Sequence, residues 1–307
     1  MRKTGVLAVA GALFVATAGA QERPTFRSSI DLVTISVLVR DSHHRLVTTL
    51  GARDFQVLDN GIRSRIVDFQ RVQNGPVTLA LLVDVSGSMR IGPKLEFARQ
   101  LLDRLALELV DGRDEAGLFT FDAALHEQQP FTVHPRTIGS TFDRVEPFGT
   151  TSLYDAIAAT ARLLANRPPQ RRAIIVFTDG VDTSSAFTPA QVSALASSID
   201  VPVYIVLTVP PIDQGPLMTQ LSDSAATATD LRDLAQWTGG DVLFASTPVQ
   251  ASWNAHVILS ELRHQYLLAI ESADRAEWRP LQVLVRDKRL TVRSRSGYIA
   301  RDMPVSK

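Results

Sequence analysis

Three short stretches hold the side chains best suited to chemistry. They are Asp84-Val85-Ser86-Gly87-Ser88, Gly149-Thr150-Thr151 and Thr178-Asp179-Gly180. Each offers carboxylate or hydroxyl oxygens, and a hard cation of the Mg²⁺ type takes oxygen ligands. Asp84, Ser86 and Ser88 occupy alternate positions, so a tight turn can aim all three at one point. Taken alone, that piece also reads as an ordinary strand-to-helix turn with Ser88 as a helix cap. The reading therefore depends on whether the fold brings the other two stretches beside it.

The elements around them supply the positioning. Residues 79–83 and 173–177 are short, unbroken apolar runs with no polar face, the mark of strands buried on both sides in a parallel sheet. Asp84 and Asp179 stand at their C-terminal ends. Further strands are expected over 116–121, 201–209 and 242–244, with an edge strand over 125–133. Leu95, Ala98, Leu101, Leu102, Leu105 and Leu109 recur at helical spacing after Pro93, as a helix packed on a sheet requires. Leu153, Ile157, Ala161 and Leu164 mark a second such helix, and Pro189 opens a third. A short helix is read over 137–145, a loop over 210–228, and helices over 231–237 and 253–262. This alternation predicts an α/β fold with a doubly wound, mostly parallel, Rossmann-like sheet. Ligands of such sheets bind beyond the carboxyl ends of the strands, where the strand order reverses. If 79–83 and 173–177 are neighbours there, Asp84, Ser86, Ser88, Thr151 and Asp179 can face one point. Thr150 is the near alternative to Thr151.

The flanks follow a different period. Val33, Ile35, Val37 and Val39 alternate with Thr34, Ser36 and Arg40, the pattern of a half-buried antiparallel strand. Asn60-Gly61 between apolar runs is a strong hairpin signal. Alternation returns over 266–270 and at Leu281, Val283 and Val285, with Asp287-Lys288-Arg289 read as a solvated hairpin tip before Leu290 and Val292. The expected organisation is a signal peptide over 1–20, a β-rich segment over 21–75, an α/β domain over 76–263 and a second β-rich segment over 264–307. The ends of an inserted domain usually lie close together, so the two flanks are expected to form one smaller β-rich unit.

Composition narrows the function. Lys plus Arg equal Asp plus Glu at 32 each, so no overall basic field points to nucleic acid. The absence of cysteine excludes disulfides, thiol catalysis and thiolate metal sites. Arg2 and Lys3, the apolar run that follows and Ala18-Gly19-Ala20 fit a cleaved secretory signal. The expected location is periplasmic or secreted, with no membrane span after cleavage. There is no Gly-x-x-x-x-Gly-Lys loop and no Gly-x-Ser-x-Gly elbow. None of the six histidines falls in a metal motif, and His43-His44 reads as a solvated turn. A non-enzymatic role is expected, and a Mg²⁺-dependent phosphoryl-transfer enzyme or hydrolase is the disfavoured alternative.

Asp84-Val85-Ser86-Gly87-Ser88-Met89, Gly149 to Ala156 and Phe177-Thr178-Asp179-Gly180 together resemble the metal-ion-dependent adhesion site of von Willebrand factor type A domains. The resemblance covers about residues 76 to 263. It implies Asp84, Ser86, Ser88, Thr151 and Asp179 as metal residues and Mg²⁺ (or Mn²⁺) as the cofactor. It also implies a protein partner whose acidic side chain completes the metal's shell. Asp182 and Asp155 are candidates to stand behind the ligands, with Thr150 beside them, and Met89 and Arg90 are candidates for the rim. The whole chain also resembles bacterial exported proteins with a type A domain between β segments. Residues 54–61, Thr238-Gly239-Gly240 and Gly297-Tyr298 carry that likeness. The implied function is a metal-dependent adhesion or assembly module. The alternative is a structural envelope component that a metal stabilises.

Overall fold

A computed structural model describes residues 32–142, 145–167, 171–208, 225–272 and 277–299, with the backbone alone for 225–229. The expected signal segment lies outside the described residues, as does 209–224 of the expected loop. The chain first forms β1 (Leu32–Arg40), β2 (Phe55–Asp59), β3 (Ile62–Ser64) and β4 (Ile66–Gln73). The α/β part follows with β5 (Thr78–Asp84), α1 (Lys94–Glu108), β6 (Glu115–Phe121), β7 (Leu125–Thr132), α2 (Ile138–Phe142) and α3 (Leu153–Ala165). It continues through β8 (Arg172–Thr178), α4 (Pro189–Ser198), β9 (Val203–Thr208), α5 (Ala225–Thr238), β10 (Val242–Ala245) and α6 (Pro248–Arg263). The chain closes with β11 (His264–Glu271), β12 (Trp278–Val285), β13 (Thr291–Arg293) and β14 (Gly297–Ile299).

The central sheet runs β10-β9-β8-β5-β6-β7. All neighbours are parallel except β6 and β7. β5 is buried at every position, and its alternating side chains enter two cores. Leu79, Leu81 and Val83 pack with Leu101, Leu105 and Ile258 on one face. Ala80 and Leu82 pack with Ile157, Ala161 and Val192 on the other. A strand covered by helices on both faces has no use for a polar stripe, which is why 79–83 is continuously apolar. The strand order reverses between β5 and β8, the two strands that carry Asp84 and lead to Asp179.

The flanks build two small antiparallel sheets, β13-β1-β11-β4 and β14-β12-β2-β3, each drawing strands from both ends of the chain. Leu32 pairs with Glu271 and Val37 with Tyr266; Val57 pairs with Val283. Val33, Ile35, Val37, Val57, Tyr266 and Leu268 share one core between the sheets. Asn60 (φ 50°) and Gly61 (φ 77°) turn the β2–β3 hairpin through the left-handed region, as a two-residue turn requires.

Three expectations are corrected. Residues 287–289 do not tip a hairpin, because β12 pairs with β2 and β14 whereas β13 pairs with β1. That segment instead carries the chain from one small sheet to the other. α5 begins at Ala225, inside the expected loop, where three alanines in four residues favour helix. α6 begins at Pro248 rather than near residue 253, because the Thr247 hydroxyl caps its first turn and proline suits the first helical position.

Where the α/β part meets the β-sandwich, Glu261 of α6 is 1% exposed. Its carboxylate pairs with Arg40 of β1 and Arg293 of β13 and accepts a 2.9 Å hydrogen bond from the Tyr204 hydroxyl.

Candidate functional site

The three oxygen-bearing stretches meet at the C-terminal edge of β5 and β8. Asp84 is fully buried and Ser86 nearly so. The Ser86 N–H donates to Asp84 Oδ1 at 2.9 Å, which folds the turn back over the strand end. The Ser86 and Ser88 hydroxyls stand 3.1 Å apart. The Gly87 N–H donates to the Gly149 carbonyl at 3.0 Å, and the Phe148 N–H donates to the Val85 carbonyl at 2.7 Å. These two bonds hold the Thr151 loop against the first turn. Gly149 (φ 89°) and Gly180 (φ 89°) are in the left-handed region at the two remaining turns, where a side chain would be strained.

The structure separates the two threonines. Thr151 is buried, whereas Thr150 is exposed and its hydroxyl accepts from Ser184 at 3.2 Å. The Thr151 N–H donates to the Thr183 hydroxyl, and its carbonyl accepts from the N–H groups of Thr183 and Ser184. Asp182 accepts from the Leu153 N–H at 2.8 Å and the Ser185 hydroxyl at 2.6 Å, so it caps α3. Asp155 accepts from the N–H groups of Ala186 and Phe187. Both carboxylates therefore brace the loop behind Thr151. Arg90 is exposed, but Met89 is completely buried in the core beneath the turn and is not at the rim.

Two neighbours lie outside the candidate ligand set. The Thr178 hydroxyl donates to Asp84 Oδ2 at 2.6 Å. Lys94 Nζ donates to Asp179 Oδ2 at 2.8 Å and to the Ser88 carbonyl at 3.3 Å. Thr178 directly precedes Asp179, and Lys94 follows Pro93 at the start of α1. Their positions were the only available signals, and neither says which oxygen they would reach.

Burial pushes the Asp84 carboxyl up to about 6, against the lowering effect of bonds from Thr178 and Ser86; the nearby charge of Asp179 adds to the rise. Among the described residues no basic side chain pairs with Asp84. A buried carboxylate without a counter-charge is costly, and a cation relieves that cost. Two carboxylates and three hydroxyls suit a hard divalent ion. Asp84, Ser86, Ser88, Thr151 and Asp179 could hold one. Among the described residues no group of three or more His, Cys, Asp or Glu could do so, so any such site relies on the hydroxyls.

This site lies at the switch point of a doubly wound sheet. Residues 79–181 match the family model described as von Willebrand factor type A domain. That match places a von Willebrand factor type A domain over this part of the chain. It is 26% identical over 189 residues to calcium-activated chloride channel regulator 1 of Macaca mulatta; the match covers 59% of this chain and 18% of that protein. A von Willebrand factor type A structure from Catenulispora acidiphila is similar with a TM-score of 0.50 and 11% identity. It covers 89% of this chain and 75% of its own. Proximal thread matrix protein 1 from the mussel byssus has a TM-score of 0.50 and 15% identity, over 66% of this chain and 51% of its own. These two structures share the fold.

Proposed function

We propose that this chain is an exported, non-enzymatic protein-binding module that works through a divalent cation. The cation, Mg²⁺ or Mn²⁺, sits among Asp84, Ser86, Ser88, Thr151 and Asp179. The observation that carries the reading is the buried Asp84 carboxylate. It has no basic partner among the described residues and stands beside hydroxyls where the strand order reverses. Mg²⁺ favours six ligands and usually keeps water. A partner's Asp or Glu replaces one water and ties the two proteins together. The cation supplies a Lewis-acidic point of positive charge. The protein's own residues hold it and orient the turn. No helix among the described residues is long and apolar enough to cross a membrane.

The test is a pull-down from bacterial envelope extract with the mature chain as bait, in Mg²⁺ and in EDTA. A partner retained in Mg²⁺ and lost in EDTA is expected. Partners that ignore the chelator overturn the adhesion role. A melting temperature raised by Mg²⁺ with no metal-dependent partner assigns the metal to stability instead.

A further inference from the structure

The three loops that bear the candidate ligands also bear three exposed apolar side chains. Ile91 is 66% exposed, Phe148 77% and Val181 51%. Isolated exposed apolar residues are ordinary on protein surfaces. These three share a place in the chain, because each lies within three residues of a candidate ligand and on a different loop. Each is also tied to the site by its own backbone. The Ile91 N–H donates to the Ser88 carbonyl at 3.2 Å, and the Phe148 N–H to the Val85 carbonyl at 2.7 Å. The Val181 N–H donates to Asp179 Oδ1 at 3.4 Å. Met89, the apolar residue between Ser88 and Ile91, is by contrast fully buried. The first loop thus spends Val85 and Met89 on the core and presents Ile91 to solvent. Among the described residues, the exposed charges in the same loops, Arg90 and Glu146, are of opposite sign.

We infer that the partner presents its carboxylate within an apolar segment: a Glu or Asp flanked by aliphatic or aromatic side chains that seat on Ile91, Phe148 and Val181. The inference rests on the metal-dependent reading above. Charge complementarity selects the acid, since a cation held by the loops offers positive charge at the centre. The apolar rim selects what surrounds it. This is the arrangement of an interface hot spot, in which water-excluding contacts encircle a strong polar one. A short acidic stretch in a polar setting would meet the cation but leave the rim in water.

The experiment uses the full mature chain and two fluorescent peptides of equal length. One has a central Glu flanked by Leu and Phe; the other has the same Glu flanked by Ser and Gly. Each is also made with Gln at the centre. Anisotropy in Mg²⁺ is expected to show the Leu/Phe peptide binding at least about tenfold more tightly than the Ser/Gly peptide. Phe148→Ser is expected to erase most of that advantage, and Ile91→Ser or Val181→Ser part of it. All three change solvent-exposed side chains, and calorimetry of Mg²⁺ binding checks that the loops survive. Equal affinity for the two Glu peptides, with binding still dependent on Mg²⁺ and on Glu, overturns the apolar rim and leaves the metal reading intact. A Leu/Phe preference that persists in EDTA and with Gln removes the carboxylate, and the metal reading with it. Failure of both Glu peptides to bind at millimolar concentration overturns the inference.

Discussion

Two buried carboxylates, Asp84 and Glu261, occupy opposite circumstances in one fold. Asp84 is 0% exposed and Glu261 1%. Glu261 is enclosed by two guanidinium groups and a phenol, one arginine from each flank of the chain. Its charge is answered inside the molecule. Asp84 receives a hydroxyl and a backbone N–H, which are dipoles rather than charges, and the charge of Asp179 that acts on it is another carboxylate's. Burial alone thus does not mark a functional acid. The distinguishing feature of Asp84 is a buried charge with no basic partner among the described residues.

The comparison is broken most severely at Glu261. Glu261→Gln leaves Arg40 and Arg293 without their shared partner at the junction of α6 with β1 and β13. Removing one member of a buried ion network costs about 3–5 kcal/mol, and chemical denaturation would read that loss. Mg²⁺ affinity is expected to stay unchanged. If it fell together with stability, the two carboxylates would not be independent, and the contrast between a closed cluster and an open one would fail.

Asp84→Asn tests the other side. Loss of the candidate ligand's charge is expected to weaken Mg²⁺ binding by at least about a hundredfold, or about 3 kcal/mol, read by calorimetry. Metal-free stability should rise at neutral pH, on the order of 1 kcal/mol, because the variant no longer buries an unpaired charge. The pH dependence follows in sign. The native carboxyl titrates at about 6, above its ordinary 3.8, so the fold retains a proton that the unfolded chain has released. The metal-free wild type therefore loses stability as pH rises through that window, and the loss levels off above it. Mg²⁺ affinity runs the opposite way: it falls about tenfold for each pH unit below the native value, as protons compete for Asp84. Asp84→Asn should remove both slopes. A variant less stable than the wild type without metal would mean that the carboxylate is needed for the fold itself.

Much of this was legible from local pattern. Residues 79–83 announce a doubly covered strand because no polar residue interrupts them, and β5 has that environment. The hydroxyls and carboxylates of the three loops are legible because each set is contiguous in the chain. What escaped depends on distance along it. Thr178 meets Asp84 across 94 positions, and Lys94 meets Asp179 across 85; no periodicity encodes such a pair. Met89 misled for a different reason. The tight helical turn over Gly87–Arg90 rotates it into the core while leaving Arg90 outside, and adjacency to Ser88 does not reveal the direction. At 287–289, alternation identifies strands on both sides but not which partners they choose, so a crossing between sheets looked like a hairpin.

Lys94 gives the smallest and sharpest test. It is the one cation bound to a candidate ligand among the described residues, and the pair is nearly buried, with side chains 12% and 8% exposed. If Lys94 already answers the charge of Asp179, then only Asp84 stands open, and an incoming ion must share Asp179 with an ammonium. Lys94→Gln keeps a hydrogen-bond donor of similar reach but removes that competing charge. Coulomb repulsion across a few ångströms at a partly screened site then predicts Mg²⁺ binding tighter by about threefold to tenfold. The opposite sign has an equally definite meaning. If Lys94→Gln weakened binding, the ammonium would be holding Asp179 in place for the ion, and Lys94 would be a positioning residue rather than a competitor. Calorimetry at constant pH distinguishes the two by direction alone, so a modest effect suffices to decide whether the site has one unanswered carboxylate or two.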